Sequence, residues 1–249
     1  MNKEIYRRKI VIINVGISTK YGTPGPIFKD GTFKFVPISE SHPSDLTPTY
    51  ENLGVGKWAP EPDMFAHYDP EFRTMTFGDY EFNENGERNI RVANALKLNP
   101  KDFLFFFASL ANKRHRKLRK TTGLYVIGFF EIRQILPYRE ARLSTLVKQN
   151  AHRLRSKDSG YTIWKGTKSS GLLEYAVPMK RRNVDKYLRT SSGKHLPWES
   201  KDKNGRPRTE LEIINSATRA SRLILRKHRE KFWEVVLKYN PNLFAGKSF

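Results

Sequence analysis

Residues 101–110 read KDFLFFFASL, and this stretch decides the fold. The residues from Phe103 to Phe107 are all apolar, whereas a strand with one face in water would alternate apolar and polar residues. A strand that is apolar on both faces is typical of the middle of a sheet that is covered on each side. We therefore predict a central strand here, and we expect it to form the core of the protein.

The sequence on either side of this stretch predicts further strands. TTGLYVIGFFEIRQIL at 121–136 and RKIVIINVG at 8–16 are rich in β-branched and aromatic residues. Other segments have apolar composition, alternation or both, bounded by turn residues, and they predict strands at 32–38, 160–166 and 172–179. The pattern indicates an α+β chain whose strands supply most of the interior.

Helices are predicted mainly after the central strands. Residues 139–155 have helical spacing, and a short helix is predicted in IRVANALKLNP before Pro100. Thr209 and Glu212 have the spacing of a capping box at the start of a carboxyl-terminal helical segment, which forms either one helix or two with a bend.

Composition predicts long loops in one part of the chain and a linker in another. Residues 39–90 are rich in Pro, Asp, Asn and Gly and predict long ordered loops, where functional sites are common. SSGKHLPWESKDKNGRPR at 191–208 has the composition of a linker. We therefore predict a domain at 1–190, a linker at 191–208 and a helical extension at 209–249.

The charge of the chain predicts a polyanionic partner. The 249 residues include 46 Lys and Arg against 25 Asp and Glu, a formal net charge of +21. The absence of Cys excludes disulfides, thiolate catalysis and Cys-ligated zinc. Because no 18-residue apolar stretch and no signal-peptide pattern occur, we expect a cytoplasmic protein without membrane attachment.

The positive residues are gathered into dense runs, which favours nucleic acid as the polyanion. Phosphate contacts release counterions and give salt-dependent affinity, although a solvated surface is the structural alternative for each run. The predicted nucleic-acid-binding residues are Lys113, Arg114, Arg116, Lys117, Arg119, Lys120, Lys165, Lys168, Lys180, Arg181 and Arg182.

Aromatic residues near these runs are candidates for stacking on an unpaired or flipped base. Trp164, in TIWKG beside Lys165, ranks first, followed by Tyr161 and Tyr68. Packing inside strands is the structural alternative for each of them.

The loop AHYDPEF at 66–72 has the composition of a catalytic or metal-binding loop. His67 and Asp69 would serve as general acid and base, or as ligands of a divalent metal if a third ligand arrived from elsewhere, with Glu131 or Glu40 as a further carboxylate. An Asp that caps a turn beside a hydrogen-bonded His is an equally strong structural alternative. The Gly- and Pro-rich loop at 18–31 contains neither GxxxxGK[ST] nor GxGxxG, so an NTPase is excluded.

In order, the segments GTPGPIFKDGTF, VPI, Tyr50, AHYDP, DFLFFFASL and GLYVIGFFEI resemble the nucleotide-modification-associated domains of bacteria, archaea and phages, the third family especially. More broadly, the two central strands and the basic loop between them resemble the PUA-like superfamily, which includes ASCH, EVE, YTH and SRA domains. The resemblance implies a distorted β-barrel with flanking helices, a pocket for a base, and a role in nucleotide modification, restriction or defence. It places the acidic loop of the family on His67 and Asp69 and its PI loop on Pro26 and Ile27.

These observations predict a DNA-binding protein that recognises a nucleobase, modified or not. The first alternative is an enzyme acting on DNA, such as a nuclease, glycosylase or base-modifying enzyme, with His67, Asp69 and Glu131 as catalytic residues. The second is a PUA-like protein that binds RNA. No cofactor is expected, apart from a divalent metal in the enzyme alternative, and the sequence does not predict an oligomeric state.

Overall fold

The computed structural model describes residues 3–15, 24–112, 122–155, 160–189, 194, 196, 198–202, 204–209, 212–213 and 218–245. Its strands are β1 (Ile10–Asn14), β2 (Gly25–Ile27), β3 (Ile38–Ser39), β4 (Ala66–His67), β5 (Thr76–Tyr80), β6 (Phe103–Asn112), β7 (Thr122–Pro137), β8 (Tyr161–Gly166), β9 (Gly171–Pro178), β10 (Leu188–Arg189) and β11 (Arg222–Ile224). Its α-helices are α1 (Tyr138–Leu143), α2 (Ala151–Leu154), α3 (Arg181–Tyr187) and α4 (Arg226–Tyr239). None of the helices in these ranges has the length and apolarity that crossing a membrane requires.

Most of the strands form one mixed sheet with β6 in its middle. The strand order is β10-β11-β1-β6-β7-β8-β5, while β2 pairs with β6, β9 pairs with β7, and β3 and β4 form a separate pair. β1 and β2 run parallel to β6, and β7 runs antiparallel to it. The α+β prediction is thus confirmed. The predicted PUA-like barrel is not, because the described strands form an open path whose ends, β10 and β5, do not pair with each other.

The residues of β6 are buried on both faces of the sheet, as the sequence predicts. Phe103, Phe105 and Phe107 belong to one hydrophobic cluster, which is covered by α3 and α4. Leu104 and Phe106 belong to a second cluster on the opposite face, together with residues of the long loops and of β5 and β8. Alternation along a single strand therefore supplies two cores at once.

The carboxyl-terminal segment contributes a strand as well as a helix. β11 pairs antiparallel with β1 and with β10, which corrects the prediction that this segment is helical throughout. α4 buries Phe232, Trp233 and Val236 against the cluster around Phe105. The domain boundaries proposed from the sequence stay a prediction, but residues 222–239 share the sheet and core of the preceding part of the chain.

The predicted helix at 139–155 is interrupted twice. It consists of α1, a 3-10 turn at Thr145–Val147 and α2. Ser144 and Asn150 have extended backbones, and their side chains accept hydrogen bonds from the N–H groups of Leu146 and His152. Both residues therefore act as caps that begin a new turn, which is the usual reason that such side chains interrupt a helix.

Two shorter predictions also need correction. Within 32–38, Phe33 makes only an isolated bridge to Ile27, and the paired strand begins at Ile38. IRVANALKLNP contains a 3-10 turn at Ala95–Lys97 in place of the predicted helix. Both segments still bury apolar side chains, Phe35 and Ala95, in the second cluster.

We expect Trp233→Ala to lower the free energy of unfolding by about 3–5 kcal/mol, because the truncation leaves a cavity in the core. The Trp233 ring is fully buried, and its centroid lies 5.1 Å from those of Phe103 and Phe105. Urea unfolding of the full chain measures the change. Lys227→Ala, at an exposed position of the same helix, serves as the control and should change stability by less than about 0.5 kcal/mol. A loss below about 1 kcal/mol for Trp233→Ala would contradict a core role for α4.

Candidate functional site

Two histidines and an aspartate meet beneath the surface of the protein. His67 ends β4, Asp69 follows in the next loop, and His152 lies in α2. All three are buried, and one nitrogen or carboxylate oxygen from each lies within 4.8 Å of the others. His152 Nε2 lies 3.5 Å from Asp69 Oδ2, and the two imidazole rings are perpendicular with their centroids 5.0 Å apart.

Glu40 fixes the orientation of His67. β3 and β4 pair so that Ile38 lies opposite His67, which brings Glu40 near the imidazole. Glu40 Oε2 lies 2.7 Å from His67 Nδ1. Since a carboxylate at this distance can only accept, we assign the proton of the neutral imidazole to Nδ1, which leaves the Nε2 lone pair available. Burial lowers the pKa of His67 to about 4, so this neutral form predominates at neutral pH.

Arg155 compensates the charge of Glu40. The Arg155 guanidinium donates to both carboxylate oxygens of Glu40 at 2.8–3.0 Å, and its Nη2 lies 3.2 Å from His67 Nδ1. Burial alone would raise the pKa of Glu40, but the hydrogen bonds from His67 and Arg155 hold it well below its usual range. Glu40 therefore stays ionised although its side chain is almost completely buried.

A tight hairpin positions Asp69. Glu71 and Thr76 exchange both of their backbone hydrogen bonds, so Asp69 lies opposite Gly78. The Gly78 N–H donates to both Asp69 oxygens at 3.1 and 2.9 Å, and Asn150 Nδ2 donates to Oδ1 at 3.2 Å. Burial raises the pKa of Asp69 well above its usual value, and the Gly78 hydrogen bond opposes this only in part.

Packing of α2 against β5 orients His152. Asn150 caps α2 by accepting from the His152 N–H at 3.1 Å, and the His152 ring centroid lies 5.0 Å from that of Tyr80 and 6.1 Å from that of Tyr161. This packing requires a glycine at position 78. A Cβ there would lie 2.7 Å from Asn150 Oδ1 and 2.8 Å from His152 Cδ2.

Two adjoining cavities open beside this cluster. The basic cavity has a volume of about 510 Å³ and is lined by Ser44, Asp45, Leu46, Tyr138, Arg142, Lys148, Arg153, Leu154, Arg155 and Tyr161. The Tyr68 cavity has a volume of about 380 Å³ and is lined by Leu46, Pro48, Leu53, Tyr68, Glu71, Arg73, Lys148, Gln149 and Leu154. Because Leu46, Lys148 and Leu154 line both, the two cavities form neighbouring parts of one depression.

Comparison with known protein families matches residues 9–223 to nucleotide modification associated domain 3. The chain belongs to this family. Membership links it to nucleotide modification, and the matched range contains every residue of the cluster and of both cavities. No curated protein and no solved structure matches the chain.

In this family member, two of the three residues predicted as catalytic lie together. His67 and Asp69 belong to the buried cluster. Glu131 belongs to a different network, in which it accepts from Arg8 at 2.6 Å and from Thr167 at 3.0 Å. None of the contacts of the described residues joins Glu131 to His67 or Asp69, so we interpret it as the partner of Arg8.

The aromatic residues predicted to stack on a base differ in their access to solvent. Trp164 is fully buried, and its indole N–H donates to the Ala95 carbonyl at 3.1 Å. Its ring offers no face to a base, which corrects the first choice made from the sequence. Tyr161 is buried and borders the basic cavity, and half-buried Tyr68 lines the neighbouring cavity.

The predicted nucleic-acid-binding residues fall into three groups, one of which the structure does not describe. Those from Lys113 to Lys120 lie outside the described residues. Lys168, Lys180, Arg181 and Arg182 are exposed. Lys165 is half-buried and donates to the Thr74 carbonyl, and burial lowers its pKa. Their contact with nucleic acid stays a prediction.

Sequence reasoning missed His152, Asn150 and the basic residues of the cavity. The available signal was QNAHRLR at 149–155, where an Asn immediately before a helical turn is a capping pattern. That local pattern does not show that His152 and Asn150 lie beside His67 and Asp69 in the fold. Their meeting depends on the packing of α2 against β5, which no sequence spacing reports.

We expect Gly78→Ala to destabilise the protein by about 1–3 kcal/mol, because the added methyl group forces Asn150 and His152 away from Asp69. The melting temperature measured by circular dichroism should fall by several degrees. Gly86→Asn is the control, since Gly86 has a φ of 77°, which Asn tolerates, and nothing lies within 4 Å of an added Cβ. Equal melting temperatures for Gly78→Ala and the wild type would contradict the close contact.

Proposed function

We propose that the chain binds nucleic acid and holds one nucleotide in the basic cavity, where it recognises the base. The observation that carries this proposal is the lining of the cavity, which combines four cationic side chains with two tyrosines. Phosphates are held by cations, and bases stack on aromatic rings. A volume of about 510 Å³ lies within the range of ordinary ligand sites.

Three of the four cations of the cavity make hydrogen bonds to neighbouring residues. Arg142 donates to the Tyr138 hydroxyl at 2.7 Å, and Arg153 donates to the Arg142 carbonyl at 2.7 Å. Arg155 is already compensated by Glu40. Arg142, Lys148 and Arg153 therefore supply the charge for a phosphate, and Asp45 is the one carboxylate among the described lining residues.

The two tyrosines form an aromatic wall of the same cavity. Tyr138 and Tyr161 are in edge-to-face contact with their ring centroids 5.1 Å apart, and Tyr138 is the more exposed of the two. We assign the stacking contact to Tyr138. The adjoining Tyr68 cavity offers room for a substituent on the base, which agrees with the link of the family to nucleotide modification.

The net charge of +21 supports a polymeric partner over a free nucleotide. A single nucleotide needs few cations, whereas a duplex presents a charge about every 1.7 Å along its axis. DNA is the partner that we propose, and RNA is the competitor to be tested.

The proposal is tested by fluorescence anisotropy with labelled single-stranded and duplex DNA, unmodified and base-modified, over a series of salt concentrations. We expect salt-dependent binding to the wild type. Arg142→Ala and Arg153→Ala should each weaken binding and lower the slope of log K against log[salt] by about 1. Arg88→Ala, which removes an exposed charge outside the cavity, should change binding much less.

Two results would overturn the proposal. One is undetectable binding of any DNA at low salt, and the other is equal binding by wild type, Arg142→Ala and Arg153→Ala. Unlabelled RNA that competes better than DNA of the same sequence would replace DNA as the partner.

A second candidate function, an enzyme acting on DNA, is favoured by the position of the buried cluster beside the cavity. Arg155 contacts His67 and lines the basic cavity, and Tyr161 packs near His152 and lines the same cavity. Incubation of DNA with the purified protein, scored for strand breaks, abasic sites and altered bases, should yield a product that His152→Gln abolishes. Absence of any product with the wild type, with and without divalent metal ions, would leave recognition as the function.

A further inference from the structure

The cluster of His67, Asp69 and His152 has the composition of a transition-metal site. We propose that these residues bind one divalent first-row transition-metal ion, such as Zn²⁺, Fe²⁺ or Co²⁺, through two imidazole nitrogens and one carboxylate oxygen. Imidazole ligands favour these ions over Mg²⁺ and Ca²⁺, which prefer oxygen. The inference goes beyond recognition of a base and does not depend on it.

Distances within the cluster fit ligands of one ion. Two ligands about 2.1 Å from the same ion lie roughly 3–3.5 Å from each other. His152 Nε2 and Asp69 Oδ2 are 3.5 Å apart, which matches this spacing and exceeds the 2.7–3.2 Å typical of a direct hydrogen bond. All three candidate ligand atoms lie within 4.8 Å of one another. Side-chain movements of about 1 Å therefore bring them to the spacing of ligands around one ion.

The surroundings of His67 are those of a metal-bound histidine. Its Nδ1 faces Glu40 at 2.7 Å, which fixes the tautomer with the Nε2 lone pair available. In metal sites, the histidine ring nitrogen that does not bind the metal commonly donates its N–H to a carboxylate in this way. Arg155 in turn holds Glu40 with three hydrogen bonds, so the carboxylate is fixed as well.

Asp69 is likewise held by groups outside the cluster. The Gly78 N–H and the Asn150 amide donate to its carboxylate, while Oδ2 is the oxygen nearer to His152. Ligating carboxylates are commonly hydrogen-bonded in this manner. His67 and Asp69 thus each have hydrogen-bonding partners that fix their orientation before any ion binds.

Three protein ligands leave at least one coordination position for water or another molecule, as in catalytic metal sites. Arg155 connects the cluster to the basic cavity, since it contacts His67 at 3.2 Å and lines the cavity. The metal site therefore lies directly behind the wall at which we place the nucleotide.

The experiment is a titration of the chelator-treated full chain with Co²⁺, followed by visible absorption. We expect one equivalent to bind to the wild type, with d–d bands. His152→Gln and Asp69→Asn should each weaken binding by on the order of 100-fold or more, and Glu40→Gln by about 10–100-fold. His42→Gln, at an exposed histidine whose ring contacts Ser41, is the matched control and should bind as the wild type does.

Circular dichroism of the metal-free variants shows whether they fold. For variants that do not, X-ray absorption of the Zn²⁺-loaded wild type gives an independent result, and we expect two imidazoles and at least one oxygen at about 2.0–2.2 Å. The proposal is overturned if the wild type binds no equivalent of Co²⁺, if folded His152→Gln binds as tightly as His42→Gln, or if the Zn²⁺ shell contains no imidazole. DNA binding is measured separately, so either result can stand alone.

Discussion

The burial of β6 on both faces is the constraint on which the rest of the structure depends. Phe103, Phe105 and Phe107 need cover on one side, and Leu104 and Phe106 need it on the other. Helices cover the first side. The second side is covered by the long loops and by β5 and β8, and the same loops and strands bring Asp69 and Gly78 together. The candidate site is thus built on the segments that complete the second core.

Sequence patterns predicted the elements whose signal is local. The strands β1, β6, β7, β8 and β9 and the helix α4 follow from apolar runs, alternation or helical spacing, because burial acts directly on the residues concerned. β5, with the sequence TFGDY, was not predicted, since its glycine and aspartate make a poor strand pattern. Both of these residues take part in polar contacts of the loops, and Gly78 is required by the close approach of His152.

The candidate site could be predicted only in part, because only some of its residues are close to one another in the sequence. His67 and Asp69 lie two residues apart, so the sequence shows them as a pair. His152 is brought to them by tertiary packing, and Glu40 by the short pairing of β3 with β4. Trp164 shows the reverse error. Its neighbours Lys165 and Gly166 indicate an exposed ring, but β8 is buried on both faces from Tyr161 to Trp164.

The pairing of β11 with β1 has a consequence for synthesis of the protein. β1 leaves the ribosome well before its partners β6 and β11, which lie later in the sequence. At typical elongation rates of about 5–20 residues per second, the edge of β1 that β11 covers stays open for roughly 10–40 s. During that interval the nascent chain exposes the IVII run of β1, an apolar segment able to pair with other chains. β1 therefore depends on β11, a strand that is made much later, for protection from aggregation.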